Sequence, residues 1–326
     1  METLLSPVVL FFALGVFAAL LRSPMTVPEA FAKGLAVYLM MAIGLKGGVE
    51  MSRAVIDAQV LAVFGVAVLL SFGLPVIAYA MLRTFSGLSR TDAAATAGHY
   101  GSISIVTFVA ATDALRIAGL DTSGYIVAVA AVMETPAIIT ALWLAMRGKK
   151  REPGAGAELA AQDRGELMRE ILLNASVVVL IGGLVIGAVA GPEGFGRLEA
   201  FFVAPFQGIL CLFMLDMGLN AGRGLRRGWR QLGVGAVAFG LYMPLIGGGI
   251  AAATGVALGL PPGDLALLVT LSASASYIAV PAAMRLALPE SNPSVYLTLS
   301  LGVTFPFNIA LGIPIYIWVA TRLAGA

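Results

Sequence analysis

Gly98-His99-Tyr100-Gly101-Ser102-Ile103-Ser104 and Ser272-Ala273-Ser274-Ala275-Ser276-Tyr277 each interrupt a long apolar run with glycine and serine. Each follows an Asp at the head of its run, Asp92 or Asp264. Each leads into a paired alanine, Ala110-Ala111 or Ala282-Ala283, and Pro281 follows the second break. Small polar interruptions at corresponding places in two halves of a membrane chain point to the binding site of a secondary transporter.

The composition supports a membrane setting. Of 326 residues, 59% are hydrophobic and only 12% charged, and the mean hydropathy is +0.95. A soluble domain carries about 25% charged residues. With 20 Lys and Arg against 18 Asp and Glu, the chain has no basic field for nucleic acid. Cys211 and His99 are the only residues of their types, which excludes an internal disulfide and a His- or Cys-rich metal site. No cofactor is expected. The N-terminus lacks the basic region of a cleavable signal.

A bilayer core takes about 20 apolar residues per helix. Ten segments qualify: Leu5–Leu21, Phe31–Gly48, Ala58–Leu82, Asp92–Thr112, Tyr125–Met146, Ile171–Ala190, Ala200–Gly218, Gly233–Leu258, Asp264–Ala287 and Val295–Leu323. The runs are too long for barrel strands and do not alternate, so the expected fold is all-α and integral to the membrane. Ten spans place five basic residues on one side, Lys46, Arg53, Arg116, Arg197 and Arg322, and the other fifteen opposite. The positive-inside rule puts the richer side in the cytoplasm and both termini outside, in a bacterial inner membrane. Arg147–Glu170 is then a cytoplasmic linker, with Ala157–Glu170 able to extend the sixth helix.

The halves also resemble each other. Ile43–Gly48 matches Met217–Gly222 at an offset of 174 residues, and Ser102-Ile103-Ser104 matches Ser274-Ala275-Ser276 at 172. Pro136 matches Pro306, and Ser6–Leu10 matches Ser176–Leu180, both at 170. Five spans per half make the second copy enter from the opposite face. The expected architecture is two inverted five-helix repeats, residues 1–146 and 171–326, joined by linker 147–170, with helices four and nine broken.

Unpaired backbone at membrane depth survives only against protein or a wet cavity. Glycine reaches unusual backbone angles and serine offers local hydrogen bonds. The half-helix after each break presents free N–H groups and a positive dipole end, suited to a small anion. Released carbonyls suit Na⁺. Gly98, Gly101, Ser102, Ile103, Ser104, Ser272, Ser274, Ser276 and Tyr277 are therefore the candidate substrate site. The alternative is that these small residues only let helices pack closely. Glu134 lies mid-span beside Pro136, where a carboxylate costs about 2.5–3.5 kcal/mol on insertion scales. Glu134, Thr107, Thr304 and Asn308 are candidates for the coupling ion. His99 is either a titrating group or a neutral hydrogen bonder. Asp92 and Asp264 look like N-caps, and Lys46 and Asp216 like residues snorkelling or packed near span ends.

These residues resemble the sodium-dependent bicarbonate permease family, known best from cyanobacteria. The likeness is strongest over Ser272–Pro314, with its serine-rich break, N-P-S-x-Y run and Pro-interrupted last span. It extends to Ile43–Gly48, Gly98–Ala111 and Glu134-Thr135-Pro136, where cyanobacterial members carry Asp before the Pro. The resemblance implies Na⁺-driven bicarbonate symport by alternating access, a cleft between the two broken helices, and a trimer in membrane lipid. Cyanobacterial members also bind a PII-like regulator, which the short linker here does not favour. They carry Asp where this chain has Tyr277, which leaves Glu134 or His99 to take part in coupling, with Na⁺ or with a proton. Another small anion on the same fold is the alternative substrate, and a passive channel is a further one. An intramembrane enzyme finds no H-E-x-x-H, no paired Asp motif and no second histidine.

Overall fold

A computed structural model describes residues 7–52, 57–147, 173, 175–228 and 232–324. The match at Ser6, the linker beyond Arg147 with its Ala157–Glu170 stretch, and the sixth span's start at Ile171 lie outside the described residues. Helices dominate, and no strand occurs among the described residues.

The first half forms α1 (Pro7–Leu20), α2 (Glu29–Met51), α3 (Ala58–Phe85), α4 (Arg90–His99), α5 (Ile105–Ile117), α6 (Tyr125–Val132) and α7 (Glu134–Met146). The second forms α8 (Ala175–Gly196), α9 (Glu199–Phe202), α10 (Phe206–Gly228), α11 (Val234–Ala257), α12 (Pro262–Ala273), α13 (Ala279–Ala287) and α14 (Pro293–Leu323). Among the described residues, seven helical stretches are long and apolar enough to cross a membrane: α2, α3, Tyr125–Met146, Val178–Gly196, Glu199–Arg226, α11 and α14. Outside that set are the 14-residue α1 and the two segments expected to be broken. Both are broken: the first between α4 and α5, the second between α12 and α13. Large apolar side chains such as Leu69, Val189 and Trp318 cover the outer faces, as in an integral membrane protein.

Two long helix pairs pack closely. Helix α2 lies along α8, and α1 along α10. Both contacts are made by small residues four apart. A Cβ on Gly44 would stand 2.9 Å from the Leu180 carbonyl, and one on Gly218 would stand 2.9 Å from the Val16 amide nitrogen and 3.0 Å from the Gly15 Cα. Without a hydrophobic driving force in lipid, such close backbone approach supplies the attraction. The Ile43–Gly48 and Met217–Gly222 motifs are therefore packing surfaces.

The other elements surround the breaks. Helix α3 packs on α4 and α7, while α11 packs on α12 and α14, and α3 touches α11. Pro136 lacks the N–H that would bind the Val132 carbonyl, and α6 ends at Val132. Around Pro306 the last helix widens instead, with π turns over Thr298–Thr304 and Asn308–Gly312. Such bulges accompany functional positions.

Asp92 and Asp264 do not cap their helices. Ser89 caps α4, and Pro261 precedes α12. Each Asp lies in the first turn, where the helix dipole favours a carboxylate, and reaches into the opposite half. Asp92 Oδ1 accepts from the Asn292 amide at 2.7 Å. Asp264 accepts from the Ser123 amide at 2.7 Å and from the Tyr125 hydroxyl at 3.1 Å. The head of each broken segment thus holds the turn that follows the other break. Of the two residues expected near span ends, Asp216 is buried and accepts from Asn220 Nδ2 at 3.1 Å. Lys46 lies out toward solvent, 3.9 Å from Glu50.

Candidate functional site: the crossing of two broken helices

The two breaks meet. The Ser104 amide donates to Ser274 Oγ at 2.9 Å, and the Ser276 amide donates to the His99 carbonyl at 2.8 Å. His99 Nδ1 donates to the Ser276 carbonyl at 2.5 Å, and its ring stacks on Tyr296. The hydrogen-bonding reading of His99 accounts for that contact. Its Nε2 is buried without a hydrogen-bond partner.

Ser104, Ser276, Ile103 and Tyr277 converge with Ile105, Ile278 and Glu134 on one closed gap. It has no room for a water molecule. Helix α5 starts from its rim, capped by Ser104 Oγ, which accepts from the Thr107 amide at 3.2 Å. Helix α13 starts there too, just after Ile278. Two positive dipole ends therefore point at one place. Tyr277 faces the Ser104 hydroxyl without a hydrogen bond of ordinary geometry, and its ring packs edge-on against Phe305.

Several polar atoms at or near the crossing are buried and unpartnered: Ser102 Oγ, Thr107 Oγ1, Ser272 Oγ and Glu134 Oε2. Buried polar groups are nearly always satisfied, and these four are exceptions close to one another in the fold. Glu134 is 2% exposed.

The remaining candidates brace the crossing and stand outside the gap. Ser274 Oγ, besides receiving Ser104, donates to the Leu271 carbonyl at 2.8 Å. Thr304 Oγ1 donates to the Gly240 carbonyl at 2.6 Å and accepts from the Tyr100 hydroxyl at 2.7 Å. Asn308 Nδ2 donates to the Ala273 carbonyl at 2.9 Å, and Asn308 Oδ1 accepts from Tyr316. Gly98 lies against α7, where a Cβ would stand 2.8 Å from that of Ala141. Gly101 presses on the Pro75 ring and the Ser71 carbonyl of α3.

Sequence reasoning missed Ser71, Pro75, Tyr100 and Tyr296. Ser71 Oγ donates to the Met133 carbonyl at 2.5 Å, one residue before Glu134. Pro75 and Pro244 both lie inside long helices, 169 residues apart and close to the repeat offsets, and that spacing was a signal available in the chain.

No curated protein matches this chain. The model of the Na⁺-dependent bicarbonate transporter superfamily matches residues 7–321, and the chain belongs to that superfamily of transporters, not to an enzyme family.

Proposed function

We propose that this protein is a secondary active transporter that takes up bicarbonate together with Na⁺ by alternating access, binding the anion where the broken helices cross. The observation that carries this reading is that α5 and α13 both begin at the gap. Helix N-termini favour a small anion. Ser102, Ser104, Ser276 and Tyr277 add hydroxyl donors around it, with Gly98, Gly101, Ile103, Ser272 and Ser274 shaping and holding the backbone. Glu134 and Thr107, whose unpartnered oxygens lie nearby, supply oxygen ligands of the kind Na⁺ takes, with Thr304 and Asn308 supporting the carbonyls around them. The gap is closed, so entry of the ions requires one group of helices to shift.

The proposed architecture is ten spans in two inverted repeats, residues 1–146 and 171–326, with the linker 147–170 in the cytoplasm and both termini outside. Its support is that helix partnerships recur when the halves are exchanged. Helix α2 with α8 answers α1 with α10, α3 with α4 answers α11 with α12, and α3 with α7 answers α11 with α14. In this reading α1, α2, α8 and α10 form the scaffold of a homo-oligomer in a bacterial inner membrane, with a trimer as the expected state. The broken helices form the moving unit.

A second reading keeps the fold and drives it with protons. Its support is the unpartnered Glu134 Oε2 together with the unpartnered His99 Nε2. Uptake of radiolabelled bicarbonate into proteoliposomes, under a Na⁺ gradient and separately under a pH gradient, separates the two. Accumulation above equilibrium with Na⁺ is the expected result. Accumulation with the pH gradient alone favours the proton, and none under either gradient removes bicarbonate as the substrate.

A further inference from the structure

A cavity of about 450 Å³ opens between α2, α5 and the α8–α10 region. Lys46 and Glu50 of α2 line it, as do Thr112, Asp113 and Arg116 of α5 and Gln207 of α10. By the charge distribution above, it faces outside. Helix α5 runs from the crossing to this vestibule. At 1.5 Å per residue, the seven residues from Ile105 to Thr112 put the vestibule floor about 10 Å from the gap.

Three of the lining side chains close a ring at that floor. Arg116 Nη2 donates to Asp113 Oδ1 at 2.9 Å and to Gln207 Oε1 at 2.7 Å. Gln207 Nε2 donates to Asp113 Oδ2 at 3.0 Å. Asp113 is 5% exposed although it is a carboxylate. A buried charge persists where its bonds are complete, and this one is completed by a residue from another helix. A much smaller cavity borders α5 at Ala110, Asp113, Ala114 and Ile117, with Val8 and Ile313 among its other lining residues. Asp113 thus forms part of the wall of both spaces. The ring also ties α5, part of the proposed moving unit, to α10, part of the proposed scaffold.

We propose that the Asp113–Arg116–Gln207 ring is the gate between the outer vestibule and the crossing, and that it opens each time an anion passes. This rests on the alternating-access reading above. The ring suits the task because its bonds are charge-assisted yet adjoin the vestibule. Closed, they hold α5 against α10. Opened, the three side chains border a cavity large enough to admit water in place of their bonds.

The test introduces Ala110→Cys in a Cys211→Ser background, placing one thiol about one helical turn nearer the crossing than Asp113. Its rate of modification by a membrane-impermeant, positively charged methanethiosulfonate is measured from the vestibule side in proteoliposomes. The thiol reacts slowly while the ring is intact. Adding Gln207→Ala removes two of the three bonds and speeds modification about tenfold or more, the population shift that the loss of charge-assisted hydrogen bonds produces. Gln207→Glu sets a second carboxylate against Asp113 but keeps an acceptor for Arg116, and speeds modification less. An intact ring that already admits the reagent quickly, or a rate unchanged by both Gln207 variants in protein that elutes normally, overturns the proposal. Labelling needs no transport, so the two readings fail separately. Faster labelling without anion accumulation keeps the gate and removes the transporter reading, whereas uptake with unchanged labelling removes the gate alone.

Discussion

Glu134 and Thr304 stand 170 residues apart, each two residues ahead of a proline, and their surroundings differ sharply. Thr304 is held on both sides, by the Gly240 carbonyl and the Tyr100 hydroxyl. Glu134 borders the gap with Oε2 unpartnered. Four residues beyond Thr304, Asn308 secures the carbonyl of Ala273 at the end of α12. The position four beyond Glu134 is Ile138, a buried apolar residue. The stretch around Pro306 thus fixes the shape of the crossing, and the stretch around Pro136 leaves a carboxylate oxygen open beside it. Similar sequence places need not carry similar chemistry.

Substitutions that exchange these roles test the contrast. The largest effect is expected at Glu134. Glu134→Gln keeps shape and hydrogen-bonding capacity but removes the charge, and Na⁺-stimulated uptake falls about 10–100-fold, as expected for losing charge-assisted contacts. Glu134→Thr, which copies the second half, does at least as much. Uptake that retains its Na⁺ dependence in both variants breaks the contrast.

Next come changes to the braces. Thr304→Val leaves the Gly240 carbonyl and the Tyr100 hydroxyl without their partner, at about 1–3 kcal/mol for each buried group left unsatisfied. Thermal unfolding of the purified protein reads this as a clear drop in midpoint, while the ion that drives uptake stays the same. Gly101→Ala forces a methyl against the Pro75 ring and the Ser71 carbonyl. Overpacking of this kind costs about 1–3 kcal/mol, and the displaced break lowers uptake as well. A variant as stable as the parent shows that α3 does not fix the break.

The smallest change in stability is expected at Ser102. Its hydroxyl has no partner, so Ser102→Ala removes no hydrogen bond and shifts the unfolding midpoint little, within about 0.5 kcal/mol. Uptake nonetheless falls, because the lost donor belongs to the proposed anion site. A large loss of stability with normal uptake makes Ser102 structural.

The sequence carried the broken segments plainly, because Gly98–Ser104 and Ser272–Ser276 contrast with the apolar runs around them. Glu134 stood out for the same reason: a carboxylate at membrane depth is costly. Contacts between distant residues left weaker traces. Asp92 and Asp264 have the composition of caps, and only the folded arrangement brings Asn292 and Ser123 within their reach. Gly101 reads as a helix breaker, yet its close fit to Pro75 depends on a helix 26 residues earlier. The Ile43–Gly48 motif reads in sequence as one copy of a repeat, and in the fold it is a packing surface, because close backbone approach and sequence duplication would leave the same pattern of glycines. The gate at Asp113 left no readable trace, since Gln207 carries no special spacing relative to α5.

An experimental structure determined with bicarbonate and Na⁺ present tests the central claim most directly. The account predicts a planar anion between the starts of α5 and α13, contacted by Ser102, Ser104 or Ser276, in a gap wider than the closed one described above. An anion bound elsewhere, with α5 and α13 still closed on each other, would contradict it.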